Sequence, residues 1–472
     1  MTLHTKYAHI PGRVVMVGFG SVGQAMLPLL LRHIDIHPEQ ISIITADEDG
    51  ARIAREYGVG FTVLPLTKEN HLAVLEPILA EGDFLLNLSV DVSSKALIEL
   101  CWRRGALYLD TCTEPWAGGY VDISRSASQR SNYALREEIL AIQRERPDGP
   151  TALVTLGANP GLASVFVKQA LLNIAADNGL AVDAPLRDGD WPKLAHRLGI
   201  KAIHIAERDT QVTARRKKRG EFINTWSVDG FIAEGLQPSE LGWGTHERHW
   251  PADAGRHPFG CGAAIYLNRP GAATRVRSWT PLEGEYHGFL ITHSESVSIA
   301  DYLTLRNGRE VVYRPTVHYA YHPCDDAVLS IHELAGKNWQ PQAEQRIIRD
   351  EIVSGIDELG VLLMGNRKGA YWYGSRLSIE QARTLAPYNS ATSLQVVAGV
   401  LAGMVWALRH PRAGVVEPDT LDHEAILRIA RPYLGDVVGV YSDWTPLQNR
   451  GKLFGEDIDR EDPWQFKNFR VG

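Results

Sequence analysis

Gly18-Phe19-Gly20-Ser21-Val22-Gly23 completes the spacing G-x-G-x-x-G between the apolar run Val14-Val15-Met16-Val17 and the helical pattern Ala25-Met26-Leu29-Leu30. In that setting a strand feeds a tight turn, the glycines let main chain approach a diphosphate, and the next helix aims its positive dipole end at the charge. Gly18, Gly20, Ser21, Val22 and Gly23 are therefore candidate dinucleotide-binding residues. A second apolar run, over 41–46, ends at Asp47, whose carboxylate suits ribose hydroxyls and repels a 2′-phosphate. NAD is expected rather than NADP.

Working outward, apolar runs at 14–17, 41–46, 61–64, 84–88, 107–109 and 153–156 alternate with amphipathic segments, the pattern of a parallel sheet covered by helices. The fold class expected is α/β: an N-terminal Rossmann-type doubly wound parallel sheet followed by a second, mixed-sheet α+β domain for substrate binding and dimerisation. The nucleotide domain is expected over 1–155, with 388–425 returning to pack on it, the second domain over 156–387, and a C-terminal segment over 426–472. A helical pattern runs from Gly161 to about Asn178, a linker follows from Asp183-Ala184-Pro185 to Trp191-Pro192, and β-rich pieces divided by Gly and Pro fill the middle. Ligands of such sheets lie beyond the carboxyl ends of the strands. By position this nominates Asn87-Leu88-Ser89-Val90-Asp91, Asp110-Thr111-Cys112-Thr113-Glu114 and Gly157-Ala158-Asn159-Pro160-Gly161, with Asn87, Ser89, Thr111, Cys112 and Ala158 placed toward the cofactor.

A chain of 472 residues exceeds what one hydrophobic core organises, and 44% hydrophobic with 22% charged residues is an ordinary globular balance. The formal net charge of −7 argues against nucleic-acid binding and is compatible with cationic ligands. The start, Met1-Thr2-Leu3-His4-Thr5-Lys6, lacks a basic-then-apolar signal pattern, and Cys101, Cys112, Cys261 and Cys324 show no disulfide spacing, so a reducing cytoplasm is expected. The stretch 394–408 has Gln395 as its one polar residue but falls short of the roughly 20 residues a bilayer requires, and Asn389-Ser390-Ala391-Thr392-Ser393 before it can cap a helix. It reads as a buried core helix, with no membrane partner. Thr245-His246-Glu247-Arg248-His249 lacks the H-E-x-x-H spacing, and no metal is expected. The basic run Arg215-Arg216-Lys217-Lys218-Arg219 reads as a solvated hairpin turn.

Two middle segments combine acids with an aromatic: His204-Ile205-Ala206-Glu207-Arg208-Asp209 and Thr225-Trp226-Ser227-Val228-Asp229-Gly230-Phe231-Ile232-Ala233-Glu234-Gly235. An indole face with carboxylates nearby is suited to a desolvated ammonium, the ring adding roughly 0.5–2 kcal/mol. A pocket for amines follows.

With these motifs assembled, the chain resembles the bacterial homospermidine synthases, relatives of the saccharopine-reductase-like dehydrogenases. The resemblance rests on the glycine turn, Asn87-Leu88-Ser89-Val90-Asp91, Asp110-Thr111-Cys112-Thr113-Glu114-Pro115-Trp116, Gly157-Ala158-Asn159-Pro160-Gly161, Ala206-Glu207-Arg208-Asp209, Asn224-Thr225-Trp226-Ser227 and Thr292-His293-Ser294-Glu295. It implies an NAD-dependent homodimer that joins two putrescines, or putrescine and spermidine, into homospermidine without net oxidation. It also implies amine binding and proton transfer by Glu207 and Glu234, and a cation held by Trp226. Asn159 would hydrogen-bond the reacting amine, with His293 and Asp91 as polar supports and Glu114 as an acidic wall. The nearest alternative is a net dehydrogenase of the saccharopine or carboxynorspermidine type, whose carboxylate-bearing substrate calls for an arginine clamp. Arg208 is the main basic residue in the segments assigned to the pocket.

Overall fold

Short apolar runs become strands wherever the next turn lets a helix cover them. Seven parallel strands form one sheet in the order Val415–Val416, Ala152–Leu153, Leu107–Asp110, Phe84–Asn87, Val14–Val17, Ile41–Thr45 and Gly60–Val63. Val14–Val17, Phe84–Asn87 and Leu107–Asp110 are buried at every position, as a sheet covered on both faces requires. The strand order reverses direction at Val14–Val17, so the crevice at its carboxyl end is the topological switch point of the sheet. The computed structural model describes residues 4–182 and 186–472, and Met1-Thr2-Leu3 and the linker residues Asp183-Ala184-Pro185 lie outside the described residues.

The second sheet has ten strands and is antiparallel throughout except where Thr316–His322 runs parallel to Ala202–Asp209 at its centre. On one side of that pair lie Pro238–Gly242, Ala264–Pro270 and Ala254–Arg256. On the other lie Ile356–Asn366, Gly369–Ser378 and Asp436–Ser442. The two-domain α/β architecture expected from the sequence is the one observed.

Three helices that the β-rich reading of the middle region passes over lie among these strands: Val228–Leu236, Ser294–Tyr302 and Asp325–Gly336. Glu234 therefore sits on a helix rather than a β-rich segment. The helix starts where the Ser227 hydroxyl accepts from the Gly230 amide at 3.0 Å, and Val228, Phe231 and Ile232 turn its apolar face inward. The tail after Pro411, which shows no clear pattern in sequence, contributes an edge strand to each sheet, Val415–Val416 and Asp436–Ser442.

Ala391–Arg409 forms a 19-residue helix, long and apolar enough by composition to cross a bilayer, but most of its surface is packed inside the fold, against Ser21–His33 among others. Gln395, its buried polar residue, donates to Asp357 O and Ser375 Oγ at 3.2 and 2.8 Å. The basic run 215–219 is largely exposed to solvent, as expected, but the strands on either side of it do not pair with each other, so it is not a hairpin turn. Val212–Thr213 pairs with Ile352–Ser354 and Glu221–Asn224 pairs with Glu344–Ile347, while Arg216 meets Asp326 at 3.0 Å and Lys217 meets Glu333. The two acids lie on the Asp325–Gly336 helix, 110 and 116 residues further along the chain.

Candidate functional site

The first intrahelical bond of Ser21–His33 runs from the Gln24 amide to Gly20 O at 3.1 Å, which leaves the amides before it free to meet an anion. A Cβ built on Gly20 would meet no described atom within 4 Å, so this glycine faces open space at the positive end of the helix. Asp47 is exposed just past Ile41–Thr45, where ribose hydroxyls would reach it. These residues fit a dinucleotide: the glycine turn would take the diphosphate and Asp47 the adenosine ribose.

From this turn a narrow cleft of about 110 Å³ opens beyond the carboxyl ends of the parallel strands. Val22, Ser89, Thr111, Cys112 and Ala158 line its nucleotide-domain wall. Asn87 is buried behind them, accepting from the Ser89 amide and hydroxyl at 3.3 and 2.6 Å and donating to Tyr108 at 3.1 Å, so it positions Ser89. Asn159, Glu207, Trp226, Glu234, His293 and Glu114 all line the same cleft. Asp91 does not: its side chain is exposed, its φ is +65°, and it reaches the site through its amide, 3.3 Å from Glu114 Oε2.

Alternation along Ala202–Asp209 sends Glu207 into the cleft and Arg208 to the opposite face, where Arg208 donates to Asp209 O at 2.5 Å and lies 3.4 Å from Asp325. Glu207 is buried, and one carboxylate oxygen accepts from both Asn159 Nδ2 and the Tyr319 hydroxyl. Burial raises its pKa to about 7, against the pull of those two donors, while Asp209 pushes it up further.

His293 precedes the helix Ser294–Tyr302 and lies between two carboxylates, with Nε2 3.2 Å from Glu234 and Nδ1 3.1 Å from Glu295. Burial alone would lower its pKa, but the two acids outweigh it and push the value up to about 10, so both ring nitrogens donate. Its ring stands 4.4 Å from that of Tyr319. Glu114 is raised to about 8, by burial first and then by the charges of Glu234 and Asp91, against the Asp91 amide. Cys112 is raised well above the usual thiol range by burial and by Glu114, which leaves it a poor nucleophile. Trp226 donates from Nε1 to the Tyr321 hydroxyl at 3.1 Å and leaves part of its ring in the cleft. Tyr321 stacks on Tyr319 at 5.1 Å, so the indole and the Glu207 carboxylate share one aromatic support.

Tyr319, Tyr321 and Glu295 carry no role in the sequence reading. The two tyrosines occupy alternate positions of Thr316–His322, which puts them on one face, but only the pairing of Tyr321 with Glu207 reveals that the face is the one turned to the cleft. Among the described residues lining the cleft there is no arginine or lysine. The arrangement can hold a cation, exchange protons with it, and exclude carboxylate-bearing ligands.

Comparison with known proteins agrees with this geometry. The family model described as the saccharopine dehydrogenase NADP binding domain matches residues 14–153, and that of the saccharopine dehydrogenase C-terminal domain matches residues 157–440. A homospermidine synthase of Blastochloris viridis is 54% identical over the full length of both chains. One of Mesorhizobium japonicum is 50% identical over 98% of this chain and 97% of its own. The crystal structure of a homospermidine synthase from Legionella pneumophila in complex with NAD superposes with a TM-score of 0.92, at 55% identity and 98% coverage of each chain.

Proposed function

The chain belongs to the homospermidine synthases, and from that premise we propose that its cleft performs NAD-dependent aminobutyl transfer, joining two putrescines, or putrescine and spermidine, with loss of ammonia. NAD, when bound, supplies the capacity to take a hydride from the carbon beside an amine and to return it later.

The chain's own residues manage charge and protons. An aliphatic ammonium, with a pKa near 10.4, must lose a proton before its carbon can be oxidised. Glu207, raised to about 7 and held by Tyr319 and Asn159, is placed to accept that proton at its free oxygen. Asn159 orients the reacting nitrogen. Trp226 faces the cationic carbon–nitrogen unit of the imine that results, with Glu114 and Glu234 opposite the ammonium that stays charged at the far end. The second amine gives up its own proton as it adds to the imine carbon, that proton departs with ammonia as ammonium, and the proton held by Glu207 goes to the secondary amine formed once the hydride is given back. His293, kept protonated by Glu295, holds Glu234 in place by donating to it.

The observation that carries this reading is the composition of the wall: Glu114, Glu207 and Glu234 around one indole, with no guanidinium or ammonium facing them among the described residues. A saccharopine-type substrate would need a carboxylate clamp, and Arg208 points to the other side of the sheet. Dimerisation through the mixed-sheet half and residence in the cytoplasm belong to the same reading. The latter is supported by four cysteines that are all free.

The test is incubation of the purified protein with putrescine and NAD, following ammonia, polyamine products and free NADH together. Homospermidine and ammonia in equal amounts without accumulating NADH is the expected result. NADH formed in step with ammonia would instead identify a net dehydrogenase.

A further inference from the structure

The two loops that fit the dinucleotide are packed into one unit. Gln24 donates from Nε2 to Phe19 O at 2.8 Å, inside the glycine turn, and lies 3.4 Å from Asp49 Oδ2. The Asp49 amide in turn donates to Asp47 Oδ1 at 2.8 Å. Gly50, with φ +84°, sits so close that an added Cβ would come within 2.6 Å of the Phe19 ring and 2.8 Å of Gln24 Nε2.

Arg349, on the segment between Glu344–Ile347 and Ile352–Ser354 of the other half of the molecule, is bonded to both loops at once. It donates to Gln24 Oε1 at 2.5 Å and to Asp49 Oδ2 at 3.0 Å. Its Nε is buried and has no partner among the described residues. Arg383 holds the segment from behind by donating to the carbonyls of Arg349 and Asp350 at 3.1 Å. Beside this contact runs an outer groove lined by Asp49, Asp229, Arg346 and Arg349, which shares Ser227 with the inner cleft. The forked contact thus ties the helix that follows the glycine turn to the loop that carries Asp47, at the edge of this groove.

We propose that Arg349 is the cofactor-retaining residue: its fork across Gln24 and Asp49 bars the groove over the dinucleotide and keeps the reduced cofactor in place until it is oxidised again. The proposal rests on the NAD-dependent reading above. A reaction that borrows electrons without consuming them fails each time the reduced cofactor escapes, so the exit must be slower than the remaining steps. Side-chain exposure is 27% for Arg349 and 62% for Asp49, so the pair is open to salt screening and able to part between cycles.

Stopped-flow measurement of NADH fluorescence on the wild-type chain and on Arg349→Gln tests this. A barrier slows both directions, so the variant should show association and dissociation rates each raised by about tenfold with Kd nearly unchanged. During turnover with putrescine it should release free NADH and form more ammonia than homospermidine. Raised salt should accelerate NADH release from the wild type and leave the variant unaffected. An unchanged dissociation rate overturns the proposal, and so does a faster dissociation matched by weaker Kd, which would mark a direct phosphate contact instead. Should Arg349→Gln fail to fold, Asp49→Asn removes the same ion pair from the other side and is read by the same rates. A wild-type chain that binds no NADH would refute the NAD-dependent reading itself, a separate outcome.

Discussion

The two halves of the molecule build their sites from different materials. On the nucleotide side the elements that fit the ligand are main-chain amides at one helix end, the absence of a side chain at Gly20, and Asp47 just past the neighbouring strand. On the substrate side they are ionisable groups drawn from Leu107–Asp110 and its following loop, from the centre of the mixed sheet and from two helices, none of which works alone. We expect the first kind of site to be sensitive to one added carbon and the second to one lost charge.

The largest expected effect tests the second kind. Glu207→Gln keeps shape and removes the base, so turnover with putrescine should fall by about 10²–10⁴ while NAD affinity stays the same. Stability should move the other way. The folded pKa of Glu207, about 7, lies above an unfolded value near 4.3, so its contribution is complete at low pH and lost as pH rises through 7. The melting temperature of Glu207→Gln relative to wild type should therefore climb between pH 5 and pH 8, over the same interval in which wild-type turnover rises as Glu207 ionises. A variant uniformly less stable at every pH would show that the carboxylate is structural.

The next effect tests the first kind of site. Gly20→Ala adds a methyl that touches no described protein atom, so thermal denaturation should shift by little while NAD affinity, read by fluorescence titration, drops about tenfold or more. Parallel losses in stability and affinity would mean that the glycine serves the turn rather than the ligand, and the contrast between the two halves would weaken.

The same contrast explains what could be read before the structure was in hand. Gly18 to Gly23 are legible because motif and neighbours lie within one strand–turn–helix unit, and Asp47 and the other strand ends because each closes an apolar run of the alternating pattern. Glu207, Glu234 and Trp226 stand out by chemistry, since acids beside an indole are conspicuous anywhere in a chain. Their partners are not legible. Tyr319 meets Glu207 across 112 residues and His293 meets Glu234 across 59, and those encounters are set by strand pairing and helix packing rather than by local pattern. The basic run 215–219 reads as a hairpin turn for the same reason, since the strands on either side of it pair with partners more than 100 residues away. For Asp91 a strand-end position locates the residue's backbone but not the direction of its side chain. In this molecule that position bears a positive φ, and its amide donates to Glu114 at 3.3 Å.

The smallest expected effect is the sharpest probe of how the sheet divides its charges. Arg208 follows Glu207 directly, and a sequence reading that ignores alternation would set it against the substrate. The structure turns it to the reverse face, near Asp325, with its guanidinium on Asp209 O. That ion pair joins a guanidinium to a carboxylate whose side chain is 74% exposed, a setting in which a contribution below about 1 kcal/mol is usual. Arg208→Ala should therefore change KM for putrescine by less than about twofold and should not admit or reject carboxylate-bearing amines differently from wild type. A tenfold change in KM, or selective loss of turnover with an amino acid as the second amine, would place the guanidinium in the cleft and return the saccharopine-type alternative to contention.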